Sequence, residues 1–129
     1  MDSKYILGID ELDSQHLGIE SICISLQEAV EDKELWRNLL EKLSERLRFH
    51  FYAEESIMKI FAYPESQEHT RSHLQIIELI ESYKNTSLTE ADIKELRDQP
   101  MQVFSEQILA QDMRFASFIK RNRERLGIQ

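Results

Sequence analysis

The sequence predicts an all-α fold: an antiparallel up-down-up-down four-helix bundle preceded by an N-terminal arm. Three observations carry that expectation. The chain has only 3 Gly and 2 Pro in 129 residues, which leaves little material for loops. Apolar residues recur at spacings of three and four through long stretches, as one face of a helix requires. Apolar residues make up 41% and charged ones 31%, the balance of amphipathic helices that share a core and face water outside. The length fits one domain, residues 1–129, and supports a real core. No internal repeat or low-complexity segment divides it.

The elements follow in order. Residues 1–12 read as an extended arm, with Tyr5, Ile6, Leu7 and Ile9 packing it onto the body. Asp13 is the expected N-cap of a first helix over about 13–30, striped by His16, Ile19, Cys23, Leu26 and Val30. Asp32 caps a second helix over about 33–62, with Trp36, Leu39, Leu43, Leu47, His50, Glu54, Met58 and Phe61 on one stripe. Tyr63-Pro64 ends it, because the residue before proline resists the helical conformation. A third helix over about 65–84 carries His69, His73, Ile76, Ile80 and Tyr83. After the turn Asn85-Thr86-Ser87, Thr89 caps a short helix over about 90–98, with Asp92 at its third position. Pro100 restarts the chain into a last helix over about 100–122, marked by Met101, Phe104, Ile108, Phe115 and Ile119. The aromatics Trp36, Phe49, Phe51, Phe61, Phe104, Phe115 and Phe118 read mostly as core, and Met58 and Met113 as gap fillers.

Charge and composition exclude several partners. The formal net charge of −8, with no offsetting Lys/Arg cluster, disfavours a phosphate backbone, so no nucleic-acid partner is expected. The basic Lys120, Arg121, Arg123 and Arg125 suit the end of a helix dipole. No apolar run reaches membrane-span length, and MDSKYILGID lacks a signal-peptide pattern. The single Cys23 cannot form an internal disulfide, and its place on an apolar stripe makes it a small buried hydrophobe. A reduced, cytoplasmic setting is the expectation.

All four histidines sit where they could converge on one metal site: His16, His50, His69 and His73. His50-x-x-x-Glu54 and His69-x-x-x-His73 are helical i, i+4 pairs, each aimed from one helix face, and Asp112 adds a carboxylate from the last helix. Neutral imidazole and carboxylate together suit iron, zinc or manganese. His50 and Glu54 occupy stripe positions where a bundle otherwise wants apolar residues. A buried carboxylate without a partner costs several kcal/mol. No Lys or Arg falls on the facing stripes to offset that cost, which leaves metal as the candidate partner. The chain is on these grounds a candidate dinuclear metal protein.

Four stretches bear a family resemblance: IDELDSQH at 9–16, HFYAEESIM at 50–58, YPESQEHTRSH at 63–73 and QILAQD at 107–112. Over nearly its whole length the sequence resembles a single-domain bacterial hemerythrin. The resemblance implies four antiparallel helices around an oxo- or hydroxo-bridged centre of two iron ions, ferrous or ferric, that binds dioxygen reversibly. It implies that His16 and His50 ligate the iron with the open site, that His69 and His73 ligate the second, and that Glu54 and Asp112 bridge them.

Three departures from the family pattern matter. The family's fifth histidine, five residues before Asp112, is replaced by Gln107, as an amide ligand or with water in its place. Glu20, four residues after His16, stands where the family's oxygen pocket is usually apolar, and it reads either as an extra ligand or as a solvated flank. Val103 and Ile24 replace a common tryptophan and a common asparagine, which reads as repacking. The resemblance therefore implies a dinuclear non-haem iron protein that binds or senses dioxygen, another small diatomic or peroxide, with another transition metal also open. Two alternatives stay open: a carboxylate-rich di-iron oxidase or peroxidase, and a non-catalytic bundle with a vestigial metal site.

Overall fold

Each helix begins and ends where local chemistry dictates. The computed structural model describes residues 6–126, with side chains as far as Arg123. Among the described residues the secondary structure is entirely helical: α1 (Asp10–Glu28), α2 (Lys33–Ile60), α3 (Ser66–Asn85), α4 (Glu90–Leu96), α5 (Gln99–Val103) and α6 (Leu109–Leu126), with a π-helical turn at Phe104–Ile108 between the last two. Helix α2 starts at Lys33 because the Asp32 carboxylate accepts the Leu35 N–H at 3.0 Å. Helix α4 starts in a capping box. The Thr89 hydroxyl accepts the Asp92 N–H, and the Asp92 carboxylate accepts the Thr89 N–H. Pro100 lies in the first turn of α5, where its missing N–H costs nothing.

The first helix departs from expectation. It begins three residues early, at Asp10, and Ile9 is its N-cap without a side-chain bond. Asp13 lies inside the helix and does not cap it. Its carboxylate accepts the N–H groups of Leu7 and Gly8 at 2.6 and 3.1 Å and so ties the arm down. Gly8 makes the turn with φ +87°, and a Cβ there would stand 2.9 Å from Lys120 Nζ. Leu7 and Ile9 are buried, as expected of the arm, whereas Ile6 is exposed. Tyr5 lies outside the described residues, as does the side chain of Arg125. The end of α2 also differs. The helix stops at Ile60, three residues before Tyr63, and Ala62 takes φ +50° while the Tyr63 N–H returns to the Met58 carbonyl at 3.0 Å. That is a Schellman-type stop built on alanine, where glycine is usual.

Side chains from the helices form two apolar clusters. One contains Ile19, Leu26, Trp36, Leu40, Leu43, Leu47, Ile76, Ile80 and Ile108. The other contains Leu7, Leu12, Met58, Tyr63, Phe115, Ala116 and Ile119. Trp36 is fully buried, and its indole N–H donates to the Leu26 carbonyl at 2.9 Å, joining α2 to the end of α1. Leu40 replaces the expected Leu39 at the centre of the α2 stripe. Phe49 and Met113 are exposed, so neither belongs to the core. Both lie beside the stripe of their helix, and their spacing alone could not show it.

The two clusters are separated on each long helix by buried polar residues. Along α1 the order is Leu12, His16, Ile19; along α2 it is Leu47, His50, Glu54, Met58. Tyr63, His69, His73, Ile76 run into and along α3; Ile108, Asp112, Phe115 lead into α6. A single polar layer thus crosses the middle of an apolar interior. No helix is long and apolar enough to cross a membrane among the described residues.

Candidate metal centre

Helix periodicity delivers the polar layer. His50 and Glu54 lie one turn apart on α2, and His69 and His73 one turn apart on α3, so each pair projects inward from one face. His16, His50, Glu54 and Asp112 are wholly sealed from solvent; His69 and His73 are buried at 4% and 3% exposure. All six converge. His16 Nε2 and His50 Nε2 stand 2.7 and 2.8 Å from Asp112 Oδ2 and 3.2 Å from each other. His69 Nε2 stands 3.2 Å from Asp112 Oδ1 and 2.6 Å from Glu54 Oε1. His73 Nε2 lies 3.0 Å from Glu54 Oε1, and His50 Nε2 lies 3.5 Å from Glu54 Oε2.

Two groups able to hold a cation result. One is His16, His50 and Asp112; the other is Glu54, His69, His73 and Asp112. Asp112 belongs to both, with one oxygen toward each. Donors bound at about 2.1 Å and near a right angle are about 3 Å apart, which is the spacing seen among these atoms. Glu54 Oε2 and His16 Nδ1 are buried without a hydrogen-bond partner. An orphaned carboxylate oxygen aimed among imidazole nitrogens is the mark of a site that takes a cation, because leaving it unpaired is costly. The donor set of imidazole nitrogen and carboxylate oxygen suits a transition metal.

Without a cation the charges arrange themselves by proximity. Burial raises the Glu54 carboxyl, and the Asp112 charge beside it adds to that, so Glu54 sits well above the carboxylate range. Burial acts on Asp112 in the same direction, but hydrogen bonds from His16, His50 and His69 outweigh it and hold Asp112 well below its usual value. Burial disfavours a charged His69, yet its bonds to Asp112 and Glu54 win and lift it to about 9. Burial and the neighbouring His69 charge push His73 down to about 3. Burial also lowers His50, against its bond to Asp112. Burial and proximity thus favour an imidazolium at His69 beside the Asp112 carboxylate, a place where a cation would also be balanced.

The rings are held from behind. His50 Nδ1 lies 2.7 Å from Gln15 Oε1, and His73 Nδ1 lies 2.8 Å from Glu55 Oε2. Phe51 stacks flat on His73 with centroids 3.8 Å apart, and Phe104 meets His16 edge-on at 5.5 Å. The sequence alone does not mark Gln15 and Glu55. The signal that finds them is chemical: a metal-ligating histidine gives its other ring nitrogen to an acceptor, and each contact joins two helices, so no spacing within one helix reveals it.

Glu20 and Gln107 stand apart from this convergence. Glu20 is half-buried on α1 beside Cys23 and belongs to neither group of converging atoms. Gln107 is exposed. It lies in the π-helical turn, and the inward positions there are Phe104 and Ile108, four residues apart and in step with Asp112. Ile108 takes the core place, and the amide faces out.

No curated protein and no solved structure matches the chain significantly. A family model does: the hemerythrin HHE cation-binding domain matches residues 7–124, a span that includes all six converging side chains. The chain therefore belongs to the hemerythrin family, with a buried histidine and carboxylate cluster that fits a metal site.

Proposed function

We propose that this chain is a dinuclear non-haem iron protein that binds or senses dioxygen or a related small ligand, another diatomic or peroxide. His16 and His50 would hold one iron and His69 and His73 the second, with Glu54 and Asp112 available to both. The observation that carries the reading is Asp112: one oxygen lies 2.7 and 2.8 Å from His16 and His50, and the other 3.2 Å from His69. A carboxylate shared in that way by two groups of donors could serve a cation in each. Bound iron would supply electrons to a small oxidising ligand.

The chain's own residues set the conditions. The apolar clusters on either side exclude water from the layer, which strengthens every charge interaction inside it. Gln15 and Glu55 fix two rings, and Phe51 and Phe104 wall the layer. The order in which the two apolar clusters flank the polar layer reverses from α1 to α2, again to α3, and again to α6. This supports an antiparallel up-down-up-down bundle, as do the short connections after α1 and α2. The single free Cys23 accords with a reducing cytoplasm.

One observation favours a second reading, a di-iron oxidase or peroxidase. The second group offers two imidazoles and two carboxylates, and Gln107 faces away, so an exchangeable position is left for peroxide. The experiment that decides is spectroscopic. The iron-loaded protein is reduced without air, exposed to air, and followed by visible absorption. A spectrum that reverses on degassing supports binding or sensing. Rapid conversion to the ferric form with peroxide consumed supports the enzyme. A chain that takes up no iron refutes both.

A further inference from the structure

We propose that Glu55 is the positioning residue of the second metal: its carboxylate fixes the orientation and tautomer of His73 and makes that imidazole a stronger donor where the site lacks a third histidine. The inference rests on the dinuclear reading above.

The geometry is specific. His73 Nδ1 lies 2.8 Å from Glu55 Oε2, and a proton held there leaves Nε2, which stands 3.0 Å from Glu54 Oε1, to present its lone pair toward the centre. Phe51 lies against the ring face at 3.8 Å with planes 6° apart, so the imidazole cannot swing about its bond to Cβ without losing that stack. The acceptor is a carboxylate. The corresponding acceptor behind His50 in the first group is the neutral amide of Gln15 at 2.7 Å. An imidazole that donates to a carboxylate gains electron density at its other nitrogen and binds a cation more tightly. The carboxylate support thus falls in the group whose donors are two imidazoles and two carboxylates. The two carboxylates in sequence, Glu54 and Glu55, divide the work: one reaches into the layer, and the next steps around the helix to hold a ligand from outside.

Glu55 is also well placed for a clean test. Its side chain is 33% exposed and borders an open groove of about 240 Å³ with Arg48, Tyr52 and Leu74. Changing it leaves the apolar interior intact. Anaerobic ferrous titration against a competing chelator should show two equivalents bound by the wild type. Glu55→Gln keeps an acceptor and removes the charge, and Glu55→Ala removes both. The second equivalent should weaken about 10-fold in the first variant and about 100-fold in the second, the range such outer partners command, while the first equivalent is unmoved. The potential of the iron pair should rise in both, because less negative charge stabilises the ferric state less. A readout free of metal accompanies these. In the ¹⁵N spectrum of the metal-free protein, His73 should carry its proton on Nδ1 in the wild type and Glu55→Gln, and lose that preference in Glu55→Ala. Unchanged affinity and potential in Glu55→Ala, with an unchanged His73 tautomer, would overturn the inference. A wild type that binds fewer than two irons while Glu55 still governs the tautomer overturns the dinuclear reading, and with it the metal role assigned to Glu55.

Discussion

Asp112→Asn is the perturbation that separates a shared carboxylate from an ordinary core residue. The substitution keeps shape and removes one negative charge at a sealed position that three imidazole nitrogens approach within 3.2 Å. In the metal-free protein, leaving a buried imidazolium without its carboxylate would cost about 3–5 kcal/mol. Glu54 limits that loss. It is held neutral partly by the Asp112 charge, and it lies 2.6 Å from His69, so it can ionise once that charge is gone. What remains lost is the charge on the hydrogen bonds to His16 and His50, roughly 1.5–3 kcal/mol. A chain of this length shifts its thermal midpoint by roughly 3–5 °C per kcal/mol, so the metal-free variant should melt about 5–15 °C lower. The metal-loaded protein should differ far more. Two metals, each at 100 times its dissociation constant, add about 5 kcal/mol, or roughly 15–25 °C. Asp112 serves both groups, so its amide should abolish most of that increment at once, whereas His73→Ala should remove about half. Paired melts with and without chelator, together with metal counts, measure this. An Asp112→Asn protein that keeps two metals and the full increment would refute the shared bridge.

Three further outcomes are expected. Burial, with Glu20 adding to it, raises the Cys23 thiol to about 12, so iodoacetamide at pH 8 should leave it unmodified in the folded protein and alkylate it fully in denaturant. The metal-free protein should lose stability as pH rises from 6.5 toward about 9, because the His69 contribution is complete below its unfolded value of 6.5 and is lost through that range; melts across pH check this limb. Ala62→Gly should raise the midpoint by several degrees, since a left-handed alanine at φ +50° costs about 1 kcal/mol that glycine does not incur; a lower midpoint would show that this turn is not strained.

The sequence displays the helices and the six converging residues because both rest on one periodicity. Side chains three and four apart share a face, so Trp36 to Met58 and His69 to Ile80 read directly as stripes, and the caps at Asp32 and Thr89 mark where those stripes begin. What was not legible depends on contacts between distant segments. Asp13 resembles a cap, but in the fold it serves the arm, because Leu7 and Gly8 present unpaired N–H groups to it. The π-helical turn at Phe104–Ile108 has no signature in residue type, and it decides which of Gln107 and Ile108 faces inward. Glu20 keeps the i, i+4 spacing to His16, yet spacing fixes only the helix face. Its distance from the centre is set by how α1 lies against its neighbours, and that leaves Glu20 half-buried beside Cys23. Phe49 and Met113 failed as core residues for the same reason, one step of rotation off their stripes.

One layer of four histidines and two carboxylates is expected to hold two metal ions in common. Anomalous scattering at the iron edge from crystals of the iron-loaded protein tests it most directly. Two peaks about 3.5–4 Å apart, one beside His16 and His50 and one beside His69 and His73, with Glu54 and Asp112 reaching both, are the expected result. A single peak, or two that share neither carboxylate, would contradict it.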